Sequence, residues 1–127
     1  MSMVDYVCPF CSYGGEWLAE DDSFAALQDK FPISKGHTLV IPKVHVVDFF
    51  DLEPSQLAKL MPFVATVREL LRNEYGIDGY NLGVNGGRVA GQTVDHAHLH
   101  LIPRYVGDTD DPRGGIRNIF PDKARYW

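Results

Sequence analysis

Seven residues, His96-Ala97-His98-Leu99-His100-Leu101-Ile102, alternate imidazole with aliphatic side chains at strict period two. A strand sends successive side chains to opposite faces, so this run places three imidazoles on one face and Ala97, Leu99 and Leu101 on the other. One face must be a polar surface and the other must be covered by a second layer.

The rest of the chain supplies that layer and the neighbouring strands. Leu57, Leu60, Met61, Val64, Val67, Leu71 and Tyr75 recur at spacings of three or four from Pro54 onward, which predicts one long helix ending before Gly76. Pro62 lies inside this pattern and predicts a kink or break, because a proline in a helix interior costs on the order of 3 kcal/mol. His37 to Ile41, bounded by Gly36 and Pro42, reads as a strand, as does Tyr80 to Val84. Glu16 to Ala19 and Ser23 to Leu27 read as two short paired strands, the second also compatible with a helix. Asn85-Gly86-Gly87 predicts a sharp turn leading back to the histidine strand. The expected class is α+β: an antiparallel sheet of about five strands with one long helix and a short one.

A chain of 127 residues with 45% apolar content suits one domain spanning 1–127, with an irregular Asp-, Pro-, Gly- and Arg-rich tail over about 105–127. Tyr126 and Trp127 at its end suggest docking on the body. The net charge of -5 argues against a broad grip on a nucleic-acid polymer, so any phosphate recognition must be local. Neither a membrane-spanning run nor a signal peptide is expected from the sequence, Met1-Ser2-Met3-Val4-Asp5 included, and a cytoplasmic location follows. In a reducing compartment, Cys8 and Cys11 in C-x-x-C spacing point to a metal clamp or a redox pair more than to a structural disulfide.

Same-face residues of a strand lie roughly 6.8 Å apart, so the outer two histidines are about 13 Å apart at the backbone. One zinc ion could take two neighbours, but all three only by laying the outer rings along the strand. At least one histidine is left for other work. Neutral imidazole is a nucleophile near pH 7 when its second nitrogen donates to a carbonyl, so the central His98 can attack phosphorus while a neighbour donates to phosphate oxygens. The preceding residues from Gly86 to Asp95 add small residues, backbone N–H groups and polar side chains.

With Gly91-Gln92-Thr93-Val94-Asp95 ahead of the alternating run, the chain closely resembles the histidine triad (HIT) family of nucleotide hydrolases and transferases. The likeness extends to Gly36-His37-Thr38-Leu39-Val40-Ile41-Pro42-Lys43-Val44-His45 and to the C-x-x-C. It implies a HIT-like fold and a two-fold homodimer formed through the sheet and main helix. By resemblance, His98 forms a nucleotidyl-histidine intermediate that water resolves, and His100 binds the α-phosphate. Gln92 and Thr93 would contact phosphate and leaving group, and Asn85 the phosphate or its loop. Asp29 would hold the ribose hydroxyls, Phe10 would line the base pocket, and His37 would lie near the nucleotide. Zinc-containing members imply a closed structural zinc on Cys8, Cys11, His45 and His96. Family members acting as phosphorylases or transferases typically carry glutamine as the third histidine's replacement, so His100 implies hydrolysis.

The expected activity is hydrolysis of nucleoside phosphate derivatives. Dinucleoside polyphosphates such as diadenosine tetraphosphate are favoured over phosphoramidates because Arg104, Arg113 and Arg117 could hold extra phosphates. The alternatives are a nucleotide-binding regulatory protein with vestigial catalysis and zinc-dependent hydrolysis.

Overall fold

The structure is a computed structural model that describes residues 7–127; the Met1–Asp5 segment read above for a leader lies outside them. Five strands form one antiparallel sheet in the order β1-β2-β3-β5-β4, with β1 at Ala19–Glu20, β2 at Phe24–Gln28, β3 at Thr38–Pro42, β4 at Gly79–Val84 and β5 at Leu99–Arg104. Helices α1 (Pro54–Leu57) and α2 (Leu60–Tyr75) connect β3 to β4. The α+β class expected from the sequence is the fold observed.

β2 and β3 are buried on both faces, which is why each reads as a nearly continuous apolar run. Phe24, Ala26, Val40, Leu99 and Leu101 pack under α2 through Leu60, Phe63, Val64, Val67 and Leu71. On the opposite face Ala25, Leu27, Leu39 and Ile41 are covered by Phe10, Tyr13 and Trp17. The histidines belong to this second face, since Leu39 pairs across the strands with His100.

The expected break is present, one turn upstream of Pro62. That residue has no N–H to give the carbonyl of Ala58, and the chain ends α1 there and restarts α2 at Leu60. Pro62 then falls in the first turn, where N–H groups have no intrahelical partner. The restart also sets the buried stripe, so Phe63 is in the core and Met61, expected there, is 55% exposed. At the other end Gly76 adopts φ 61° and its N–H closes on the Arg72 carbonyl at 2.9 Å.

Three expectations are corrected. β1 lies at Ala19–Glu20 instead of 16–19, because Ala19 and Glu20 are the residues in register with Ala26 and Ala25. No tight hairpin joins β4 to β5: residues 85–98 form a long loop containing a 3-10 turn at Arg88–Ala90, with Gly87 and Gly91 at positive φ. Tyr126 and Trp127 do not dock on the sheet. They stack on the tail's own cations, with Arg113 4.4 Å above the Trp127 ring and Arg117 5.1 Å above that of Tyr126.

Gly36 (φ 88°) precedes His37, and a Cβ there would meet Tyr75 Cδ2 at 2.8 Å and Pro103 Cγ at 3.3 Å; Gly76 has open space around it. Gly76→Ala is expected to cost about 1 kcal/mol through backbone strain alone, and Gly36→Ala distinctly more. Urea unfolding of the two variants checks the order.

Candidate active site

His98 sits half-buried just ahead of β5, which begins three residues later than the alternation from His96 suggests because Leu99 is the last residue paired to both neighbours. Upstream of it the chain is held by Ala97 N–H donating to the Val46 carbonyl at 2.7 Å, so side-chain alternation survives without the ladder. Ala97, Leu99 and Leu101 enter the core while the imidazoles face away. His98 Nδ1 lies 2.8 Å from the His96 carbonyl. A carbonyl only accepts, so Nδ1 carries the hydrogen and Nε2 keeps its lone pair. Phe10 meets the His98 ring edge-on, centroids 5.3 Å apart, and limits its rotation.

His96 turns to a different task. Its Nε2 donates to the Pro42 carbonyl at 2.8 Å, which leaves Nδ1 bare and aimed at Cys8 Sγ (3.3 Å), Cys11 Sγ (3.6 Å) and His45 Nδ1 (3.1 Å). Cys11 Sγ lies 3.1 Å from the same His45 nitrogen. A tetrahedron of sulfur and nitrogen ligands at zinc bond lengths of about 2.3 and 2.1 Å has edges of roughly 3.4 to 3.8 Å, close to these separations. The four donors can hold one ion with no position left over.

His100 completes a chain of hydrogen bonds on the other side. Ile33 N–H donates to His37 Nδ1 at 3.2 Å, so the His37 hydrogen is on Nε2, which faces His100 Nδ1 at 2.9 Å and Asp29 Oδ2 at 3.3 Å. His100 Nδ1 is then an acceptor and its hydrogen is forced to Nε2. Asp29, His37 and His100 lie close enough together to hold a metal ion, but a metal on His37 Nε2 would need the hydrogen on Nδ1, where the Ile33 N–H already points. Burial pushes the His37 and His100 pKa values below the ordinary 6.5, and for His100 the nearby His98 and His37 add to the shift. Both are neutral at pH 7.

The loop before the histidines is built by Gln92. It is 4% exposed, its Oε1 accepts from Gly87 N–H at 2.9 Å, and its Nε2 donates to the carbonyls of Val47 and Val94 at 2.9 and 3.0 Å. Gln92, expected to contact phosphate, directs these three hydrogen bonds to the backbone and so holds the loop ahead of the histidines. Thr93 and Asn85 are exposed at the loop's ends, free for a ligand. Arg88 reaches Asp95 with two bonds of 2.9 Å and the Gln92 carbonyl at 3.1 Å, closing the loop from outside. Nothing in the one-dimensional pattern pointed to this clamp. Asp29, expected to hold ribose, also accepts Phe31 N–H on Oδ1 at 2.9 Å and is half-buried.

The model of the HIT domain matches residues 15–107. The chain is also 41% identical over 124 residues, 93% of its length and 95% of the relative's, to an uncharacterised HIT-like protein of Methanocaldococcus jannaschii. The chain belongs to the HIT family. Among similar HIT proteins, an adenosine 5′-monophosphoramidase of Schizosaccharomyces pombe is 41% identical over 87 residues, 68% of this chain and 62% of that one. The crystal structure of a zinc-bound histidine triad family protein from Mycobacterium smegmatis superposes with a TM-score of 0.71 at 37% identity, covering 80% of this chain and 76% of the other. The triad of this HIT protein thus divides into three tasks: His96 faces the cysteines, His98 presents a lone pair, and His100 presents a donor.

The depressed pKa values set a sign for stability. His37 and His100 resist protonation when folded but accept it near 6.5 when unfolded, so stability is full above pH 6.5 and is lost as pH falls below it. The urea midpoint is expected to drop between pH 7.5 and 5.5, and a His37→Gln/His100→Gln double variant to show a flatter dependence over the same range.

Proposed function

We propose that this HIT protein hydrolyses nucleoside phosphate derivatives at the α-phosphorus through a nucleotidyl-His98 intermediate. The observation that carries the reading is the His98 tautomer, whose Nδ1–H on the His96 carbonyl leaves Nε2 as the nucleophile. Nε2 forms a bond to phosphorus as the bond to the leaving atom breaks, and the electron pair departs with that atom. The leaving atom departs with a proton taken from solvent while His100 Nε2–H donates a hydrogen bond to the phosphate oxygens. Water then attacks phosphorus, the bond to His98 Nε2 breaks, and the water's proton returns to solvent. The net change is water split across one phosphorus–heteroatom bond. Thr93 and Asn85 are available to phosphate, Phe10, Leu27 and Leu39 form an apolar floor for the base, and Asp29 Oδ1 faces the ribose once Phe31 N–H is shared.

Arginine placement favours phosphoramidates over dinucleoside polyphosphates. Arg104 is committed to Asp108 at 2.8 Å by two bonds and to Asn81, Arg113 to Asp111, and Arg117 to the carbonyls of Lys123 and Ala124. Arg104 and Arg113 are therefore neutralised by carboxylates, and the Arg117 guanidinium is occupied by backbone carbonyls. The intact lone pair and donor also speak against vestigial catalysis.

Structural zinc on Cys8, Cys11, His45 and His96 is part of the same reading; when bound it supplies a rigid closed crosslink and no open coordination position. Hydrolysis by a zinc-activated water finds no support, because all four positions are taken by protein. A second copy of the chain along β4 and α2 fits the sheet order, in which β4 is an edge, and the exposure of Tyr80, Val84, Met61 and Leu70. Nucleotide is the expected ligand; nucleic-acid polymers are disfavoured by the net charge of -5, and no helix of the described residues is long and apolar enough to cross a membrane. The free thiols of Cys8 and Cys11 fit a cytoplasmic setting.

Rapid quenching of the protein with adenosine 5′-phosphoramidate should trap a mass increase of one nucleotidyl group on His98. His98→Asn should form none and lose roughly three orders of magnitude or more in turnover; an adduct elsewhere, or full activity in that variant, would sink the reading. For the metal, purified protein should carry about one zinc per chain, and Cys8→Ser should lose it and melt at a clearly lower temperature, with activity falling only in step with the folded fraction.

A further inference from the structure

The C-x-x-C spacing is compatible with a metal clamp and with a redox pair, and the local geometry accommodates both. Residues 8–12 form one closed turn, in which the Ser12 N–H and hydroxyl both donate to the Cys8 carbonyl, at 3.0 and 2.6 Å. Cys11 N–H donates to Cys8 Sγ at 3.3 Å and holds the ends of the turn together. The two sulfurs lie within 4.8 Å of each other. Disulfides join residues whose Cα atoms are roughly 4.4 to 6.8 Å apart, a span that the ends of a single turn meet. Exposure then separates the partners: Cys11 is open to solvent and Cys8 is buried. A small oxidant meets the Cys11 sulfur first, with the second sulfur in reach behind it.

Oxidation and metal binding tie the chain in opposite ways. The metal-ligating cluster joins the turn to His45, 34 residues beyond Cys11, and to His96, 88 residues beyond Cys8. A disulfide would tie Cys8 to Cys11 alone. The stabilisation from a crosslink grows with the length of the loop it closes, so exchanging two long ties for one short one removes most of it. The exchange is also exclusive: disulfide sulfurs are no longer thiolate ligands, and two imidazoles do not make a closed tetrahedral site. Phe10, which packs against the His96 and His98 rings, rides on the same turn.

We propose, on the structural-zinc reading above, that Cys8 and Cys11 form a peroxide-reactive modification site whose oxidation to a disulfide expels the zinc and loosens the fold. As metal ligands both cysteines are thiolates. The Cys11 thiolate attacks one oxygen of hydrogen peroxide, the O–O bond breaks, and hydroxide leaves a sulfenic acid on Cys11. The Cys8 thiolate then attacks that sulfur, forming the S–S bond and releasing a second hydroxide. Each sulfur has given up one electron, one peroxide has been reduced, and two protons from solvent convert the hydroxides to water. A thiol reductant with added zinc reverses the change.

The test treats the zinc-loaded full-length protein with a modest molar excess of hydrogen peroxide in the presence of a chromogenic zinc chelator. About one zinc per chain should be released, Cys8 and Cys11 should resist alkylation until reduced, and the peptide carrying both should be lighter by two hydrogen atoms. The melting temperature should fall by about 5 °C or more and recover with reductant and zinc. Cys11→His, which keeps a zinc-binding side chain but not the reacting sulfur, should release zinc roughly tenfold or more slowly; if that variant fails to hold zinc, alkylation mapping of the wild type still decides. Zinc retained under peroxide, zinc released while both thiols still alkylate, or equal release from the zinc-loaded variant would each overturn the site. Failure to take up zinc before any peroxide is added refutes the zinc reading, and the modification site with it.

Discussion

The carbonyl of His96 decides what the neighbouring imidazole can do. By accepting the Nδ1 hydrogen of His98 at 2.8 Å it exposes a lone pair on the opposite nitrogen. That carbonyl stays in place because the His96 ring is fixed at both nitrogens, Nε2 on the Pro42 carbonyl and Nδ1 among Cys8, Cys11 and His45. One residue thus joins a cysteine cluster to a nucleophile with no intervening side chain. Phe10, between the two cysteines, touches both rings from above.

A second device of the same kind works on His100, but with the backbone of Ile33 as its source. The N–H of that loop residue dictates the His37 tautomer, and His37 dictates that of His100. Both reactive histidines therefore receive their protonation pattern from main-chain groups, which do not titrate. Desolvation lowers the pKa values of His37 and His100 and so favours their neutral forms.

Much of this was legible in one dimension. Period two across 96–102 located the reactive face, the threefold and fourfold spacing of aliphatics located the long helix, and Gly76 marked its end. The cysteines and His45 were assigned to His96 from family likeness, and the donors do converge. What escaped were features set by packing in three dimensions. Met61 and Phe63 exchanged roles because Pro62 restarts the helix rather than bending it. The Gln92 amide ties the loop to the carbonyls of Val47 and Val94, the first 45 residues away, a tertiary contact that residue spacing does not show. Arg104, Arg113 and Arg117 looked like a basic patch, but Arg104 and Arg113 pair with Asp108 and Asp111, and Arg117 bonds the carbonyls of Lys123 and Ala124.

β3 spans only Thr38–Pro42, and its side chains are ordinary. Its two ends, however, hold the two devices apart: His37 stands at one end and the Pro42 carbonyl at the other. Covalent geometry makes this strand a ruler between the cysteine cluster and the proton chain. One aliphatic residue in it could replace another at small cost, but adding or removing a single residue would turn the side chains beyond it over and pull the two ends out of step at once.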